Sequence, residues 1–394
     1  MKREKIGNIL QMQRGYDLPS SQMKEGNIPV VGSNGIVGYH NTSKCILPTI
    51  TIGRSGSAGK VHYYEESAWV HNTALYLTDF KGNNPKYLYY LLQLLHLEKL
   101  CGSSVIPSLN RNVVYPMVVN FHENRHEQDA IANILSLIDK KIALNREINR
   151  NLEAMSRQLY DYWFVQFDFP GENGRPYKSS GGKMVWNEKL KREIPEEWKV
   201  VNLFDAIEVQ YGFPFSTDLF VDEVTNIPVV RIRDILNGTV SAYSTEETDS
   251  KYKLSKGDVI IGMDGNFHMN LWCDDIAYLN QRSVRFRQIE DSPICALQVM
   301  YEVAPYIKAK EENSKGSTVG HLSDKDLKGL WIMKPSPHNM FSPATTLNLI
   351  ANMIVENRME ISNLTNLRDK LLPLLMNGQV SVMQPEVNCD LSHD

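Results

Sequence analysis

Cysteine, metal-type residue spacing, long apolar runs and a surplus of one charge are all missing or scarce in this chain of 394 residues. The five cysteines, Cys45, Cys101, Cys273, Cys295 and Cys389, are odd in number and scattered. That excludes a disulfide framework and a paired-cysteine metal knuckle, and it suits thiols buried in a reducing cytoplasm. No run of about twenty apolar residues is present to span a membrane, and the opening MKREKIGNILQMQRG lacks the apolar core of a secretory signal. A cytoplasmic location is therefore expected. Lys and Arg number 42 against 46 Asp and Glu, a net charge of −4. The chain is not broadly basic, so a nucleic acid would have to be met by a local cleft. What is there, 42% hydrophobic and 22% charged residues, describes a folded chain of two or three domains.

Residues 1 to 121 read as short strands and turns, punctuated by Gly32, Gly35, Gly38 and by Gly53, Gly56, Gly59. One helix interrupts them, opening at Asn84-Pro85, a capping residue followed by proline in the first turn. Then Gln128 to Tyr162 runs without proline or glycine, with apolar residues at heptad spacing. Ile131, Ile138, Leu152 and Leu159 fall on one position and Ile134, Ile148, Met155 and Tyr162 on another. Such a helix is about 50 Å long, more than a lone domain needs. Phe167 to Pro195, rich in Gly, Pro and Ser, reads as an ordered linker.

Beyond the linker the chain starts again. Gln13-Arg14-Gly15-Tyr16 returns as Gln210-Tyr211-Gly212-Phe213, and Asn27-Ile28-Pro29-Val30-Val31 as Asn226-Ile227-Pro228-Val229-Val230. Ile52-Gly53-Arg54-Ser55-Gly56 matches Ile261-Gly262-Met263-Asp264-Gly265, and Gly102-Ser103-Ser104-Val105 matches Gly316-Ser317-Thr318-Val319. Ile131-Ala132-Asn133 recurs as Ile350-Ala351-Asn352 and opens a second long helix to about Met376. Ordered matches of this kind indicate an internal twofold repeat. The second helix carries Ile350, Asn357, Leu364, Leu371 and Met353, Glu360, Leu367, Leu374 at its heptad positions. A polar pair in such a seam fixes register. Antiparallel packing is expected to bring Asn145 near Asn357 and Lys141 near Glu360.

Catalytic signatures are weak. His122-Glu123-Asn124-Arg125-His126 fits the HExxH pattern of zinc proteases, which needs both imidazoles on one helical face. A zinc-dependent hydrolase using His122, Glu123 and His126 is the alternative reading, but no third ligand follows. Asn84-Pro85-Lys86-Tyr87 is near an adenine-methyltransferase loop but lacks its second proline. Gly53 to Lys60 resembles a phosphate loop, but the spacing is off by a residue and Val61 stands where Ser or Thr must hold magnesium. No catalysis of its own is expected of the chain.

Several strings resemble the DNA-specificity (S) subunit of type I restriction-modification enzymes. They are Pro29 to Gly38, Thr51 to Gly56, Phe167-Asp168-Phe169-Pro170 through Gly181-Gly182-Lys183-Met184 to Ile194-Pro195-Glu196-Glu197-Trp198, Leu254 to Ile260, and Leu371 to Gly378. The resemblance spans nearly the whole chain. It implies an α+β fold of two β-rich target-recognition domains joined by two long antiparallel, coiled-coil-like helices. The expected boundaries are 1–121 and 196–338 for the domains, 122–166 and 339–378 for the helices, 167–195 for the linker and 379–394 for a flexible tail. It also implies that each domain reads half of a split site on double-stranded DNA, while the helices set the spacer and dock two methyltransferase subunits. Motor-nuclease subunits would join that core, with S-adenosylmethionine, ATP and magnesium held by the partners.

Base readout needs side chains that present hydrogen-bond pairs to base edges. In the first domain the candidates are Gln13, Arg14, Tyr16, Ser33, Asn34, Arg54, Ser55, Lys60, His71, Asn72, Asn110 and Arg111. In the second they are Gln210, Tyr211, Phe213, Arg231, Arg233, Asn266, His268, Asn280, Gln281, Arg282, Lys315, Ser317 and Thr318. Arg54, Gln281 and Arg282 lead these sets.

Overall fold

The computed structural model describes residues 1–45, 47–101, 108–171, 174–224, 226–313, 320–336 and 342–382. Lys315, Ser317 and Thr318, the fourth match of the repeat and most of the expected tail lie outside them. The fold mixes helices and sheets. It divides into two compact units, Met1–Ile142 with Asn363–Asp394, and Ala143–Ser362. Each unit thus takes part of both long helices.

In the first unit a four-stranded antiparallel sheet runs Gln11–Arg14, Ala74–Asp79, Thr49–Gly53, Val61–Tyr64. The β-branched strand Thr49–Gly53 is buried along its whole length, as a central strand covered on both faces must be. Beside it, Ile28–Gly32 forms a hairpin with Gly35–His40 and pairs in parallel with Trp69–Val70. A third small sheet joins Lys2–Lys5 to Val118–Phe121. The helix Pro85–Leu94 starts where the sequence places it, with the Asn84 side chain accepting from the Tyr87 N–H. It ends at Leu94, and His96 just beyond it adopts a left-handed conformation.

The second unit repeats this plan. Its main sheet runs Glu208–Tyr211, Ser283–Arg287, Val259–Gly262, Met269–Leu271, again with the buried strand inside. Ile227–Val230 pairs in parallel with Tyr278–Leu279, and Lys199–Asn202 with Trp331–Lys334 in antiparallel sense. The linker contributes the hairpin Met184–Asn187 with Arg192–Pro195, and Phe169 stacks on both Tyr177 and Trp198.

The repeat extends to individual hydrogen bonds. Gly15 N–H donates to Ala74 O as Gly212 N–H does to Ser283 O, and Tyr16 to Val70 O as Phe213 to Leu279 O. Arg54 donates to Thr73 O as Met263 does to Arg282 O, and Leu109 to Arg54 O as Leu322 to Met263 O. The two shared glycines are forced by close approach. A Cβ on Gly15 would lie 2.3 Å from His71 O, and one on Gly212 only 1.9 Å from Asn280 O.

The long helices run Arg125–Tyr160 and Pro343–Met376. One of the two expected stripe positions holds, with Ile131, Asn145 and Leu152 buried on the first helix and Ile350 on the second, while the other shifts by one residue. Leu135, Ile142, Asn149 and Ser156 are buried where Ile134, Lys141, Ile148 and Met155 were expected, and Met155 is 43% exposed. On the second helix Ile354 is buried, whereas Met353 and Leu367 are exposed. The polar register also differs. Asn145 Nδ2 donates to Glu360 Oε2 at 2.7 Å, while Asn357 Nδ2 donates to Asn149 Oδ1 at 3.0 Å. The expected Asn145–Asn357 pair is therefore replaced by two pairs, each one turn away. In the second unit the order of these contacts is antiparallel, since Asn149 also donates to Ile354 O.

Among the described cysteines only Cys295 is buried; Cys45, Cys101 and Cys273 are partly exposed thiols. No helix among the described residues is long and apolar enough to cross a membrane.

Candidate nucleic-acid interface

In the second unit three loops converge on an open hollow of about 620 Å³. Arg231 and Arg233 come from the turn after Ile227–Val230, Asn266 and His268 from the turn after Val259–Gly262, and Asn280, Gln281 and Arg282 from the turn before Ser283–Arg287. Seven sequence-predicted residues thus share one surface, and no carboxylate is among its described lining residues. Three guanidinium groups facing one hollow attract a polyanion.

These side chains are not equally free. The Arg231 guanidinium donates to Ser241 O at 2.8 Å and sits 3.5 Å from the buried Asp234 carboxylate, so it braces its own loop. Arg282 donates from Nη1 to Asp264 Oδ2 at 2.7 Å and keeps 61% of its side chain exposed. Its φ of 65° lies in the left-handed region, a costly conformation for a long side chain that surrounding structure must impose. Asp264 in turn meets His321 Nδ1 at 2.6 Å. Partial burial pushes the Asp264 carboxyl up, but the hydrogen bonds from His321 and Arg282 outweigh it and hold the group below its ordinary value.

Three half-buried residues of the set are held by their own unit. Phe213 packs against Phe215 and Tyr252, with ring centroids 5.0 and 5.2 Å apart. Tyr211 donates to Asp324 at 2.7 Å, and Gln210 to the Tyr211 carbonyl at 2.8 Å. Another arginine of this unit, Arg285, is 1% exposed and donates to the Lys251 and Lys253 carbonyls; it is structural.

The first unit sorts its residues similarly. Ser33 is buried, its hydroxyl lying between the carbonyls of Ser55 and Thr73, so it knots three loops together. Gln13 donates to the Tyr16 and Tyr76 hydroxyls, and Lys44, not anticipated, sits 4.7 Å from the Tyr16 ring and 4.5 Å from that of Trp69. Asn110 caps the helix Arg111–Val114, while Arg111 donates to Met12 O at 3.1 Å. Arg14 donates to Asn72 O at 3.3 Å, and His71 Nδ1 lies 3.2 Å from Thr73 Oγ1. The exposed group is Asn34, whose Oδ1 accepts from Lys60 at 3.0 Å and Ser57 at 3.2 Å. The Arg54 guanidinium has no hydrogen-bond partner among the described residues.

The HExxH geometry does not form. The helix begins at Arg125, so His122 and Glu123 precede it, and the two imidazoles do not share a helical face. His122 is occupied by Glu127 on one nitrogen and the Leu375 carbonyl on the other, each at 3.0 Å. Glu123 pairs with Lys2. Gly53 to Lys60 leads into the strand Val61–Tyr64, not the helix that a phosphate loop requires.

The family model for the type I restriction modification DNA specificity domain matches residues 1–154 and 195–339. The chain belongs to that family. The two matched segments begin at corresponding points of the repeat. This specificity chain is 25% identical over 315 residues to the type I restriction enzyme MjaIX specificity subunit of Methanocaldococcus jannaschii, covering 75% of this chain and 69% of that one. It is 31% identical over 143 residues to the EcoBI specificity subunit of Escherichia coli, covering 36% and 30% respectively. The crystal structure of a type I restriction-modification S subunit from M. genitalium superposes with a TM-score of 0.61 at 17% identity, covering 97% of this chain and 96% of that one. That likeness is one of fold.

Sequence reading missed Asp264, His321 and Lys44. Asp264 stood in the repeat match opposite Ser55, and that substitution was the available signal.

Proposed function

We propose that this chain is the DNA-reading subunit of a type I restriction-modification complex, that each unit reads one half of a bipartite site, and that the chain itself performs no catalysis. One observation carries the reading. The two units share a backbone hydrogen-bond pattern but put different side chains on it: Arg54 and Ser55 against Met263 and Asp264, His71-Asn72-Thr73 against Asn280-Gln281-Arg282. A common scaffold with two sets of hydrogen-bonding groups suits two different half-sites.

Arg54, Asn34, Lys60 and Asn72 read or hold DNA in the first unit, and Arg233, Asn266, His268, Asn280, Gln281 and Arg282 in the second. The two long helices act as an antiparallel spacer. An element of 36 residues is about 50 Å long, more than the ~34 Å of one DNA turn. Their outer faces, with Arg146, Glu147, Arg150 and the exposed Leu144 and Met155, dock two methyltransferase subunits, which motor-nuclease subunits join. S-adenosylmethionine, ATP and magnesium belong to those partners.

Arg54→Ala and Gln281→Ala, each in the full complex, test this by sequencing of genomic methylation. Each variant should relax one half-site and leave the other intact. Relaxation of both by either variant, or of neither by both, would overturn the reading.

A further inference from the structure

Arg282 is the exposed end of a chain of three side chains. A carboxylate only accepts, so His321 Nδ1 is the donor to Asp264 Oδ1, and Arg282 Nη1 takes Oδ2. Both carboxylate oxygens are used, which fixes the plane of Asp264 and holds Nη1 of the guanidinium. The other guanidinium nitrogens have no partner among the described residues, and Arg282 lines the hollow.

An acid beside a DNA surface repels phosphate, so its presence needs a cause. The other unit provides an internal control. The backbone bridge Asp264–His321 corresponds to Ser55–Ser108, which closes without a charged side chain, and Arg282 corresponds to Thr73. A bridge of this kind therefore closes without an acid, an imidazole or a guanidinium. What the three add is a guanidinium fork held in one direction, with less side-chain freedom left to lose on binding.

We propose that Asp264, held by His321, is a positioning residue that aims Arg282 at a planar two-acceptor edge, and that Arg282 determines specificity for one guanine in the half-site read by this unit. This rests on the hollow being a DNA surface. The O6 and N7 acceptors of guanine match an arginine fork in the major groove. A phosphate offers a similar pair of oxygens but carries no sequence; the experiment separates the two.

The test uses the full chain with its partner subunits in cells, with genomic methylation as readout, and purified complex for DNA binding against salt. Arg282→Lys keeps the charge and loses the fork. Asp264→Ser and His321→Ser each install the residue found at the matching place in the first unit. All three variants should relax the preference for guanine at the same single position of one half-site, Arg282→Lys by about ten- to a hundredfold. The other half-site and the spacer should stay unchanged. Having separate variants keeps the test alive if one fails to fold. Uniform weakening at every site with a shallower salt dependence would mean a phosphate contact and overturn the proposal, as would an unaltered motif. If Arg233→Ala or Gln281→Ala shifts the half-site while these variants do not, only this proposal falls. If no variant of the hollow shifts it, the reading of the surface falls too.

Discussion

At Gly212 the difference between hydrogen and methyl decides whether two loops can cross. Its Cβ would lie 1.9 Å from the Asn280 carbonyl, where backbone rather than a yielding side chain stands in the way. Gly212→Ala should therefore cost at least about 2 kcal/mol by urea unfolding, and a midpoint like that of the parent chain would refute the contact. Asp326 makes a second residue-scale prediction. It caps the helix Asp324–Lys328 with Ser323 and accepts from Lys310 at 2.7 Å and Tyr306 at 2.9 Å. Burial pushes its carboxyl up, but the bonds from Lys310 and Ser323 more than reverse this and hold it well below the usual carboxylate range. A depressed folded value stabilises the chain above the unfolded carboxylate pKa, near 4, and that contribution fades as acid takes the pH toward the folded value. Asp326→Asn should lose about 1–2 kcal/mol at pH 7, with the gap to the parent closing below about pH 3. A gap that stays constant with pH would contradict the assignment. At this scale the sequence was legible where the chemistry is local. Asn84-Pro85 announces a helix start because cap and helix are neighbours in the chain. Ser33 misleads because its partners, Ser55 and Thr73, are brought to it only by folding. The same distance along the chain hid the bracing of Arg282.

At the scale of the element, the long helices were readable in extent and type but only half in face, since Ile131, Asn145 and Leu152 are buried as their spacing implies. Counting apolar residues puts Met155 in the seam, whereas the buried stripe runs through Asn149 and Ser156. These polar groups are satisfied inside, Asn149 by Asn357 and the Ile354 carbonyl, and Ser156 by Tyr301 and the Glu153 carbonyl. A hydropathy pattern cannot register a buried asparagine with its bonds made. Two substitutions separate the faces. Asn149→Ala takes the acceptor from the Asn357 amide and the second donor from the Ile354 carbonyl, which keeps its helical bond, and should cost about 1–3 kcal/mol. Met155→Ala, on the exposed side, should cost less than about 1 kcal/mol. Thermal unfolding of the two variants would decide, and the reverse ranking would restore the seam inferred from apolar spacing.

Taken whole, the chain is one plan used twice, and this was its most legible property. Short matches keep their order over offsets from 197, Gln13 to Gln210, to 219, Ile131 to Ile350. The proposed spacer role adds a prediction at this scale. Removing one heptad from each long helix shortens the element by about 10 Å, or about three base pairs. Methylation mapping should then find both half-sites unchanged and the gap between them reduced; a fixed gap would end the spacer idea. The bridge shared by Ser55–Ser108 and Asp264–His321 has a different kind of consequence. Because main chain closes it in both units, the bridge itself does not depend on which side chains stand there. Serine and aspartate are alternatives on one backbone, so the groups offered to a ligand can differ while the frame that carries them stays the same.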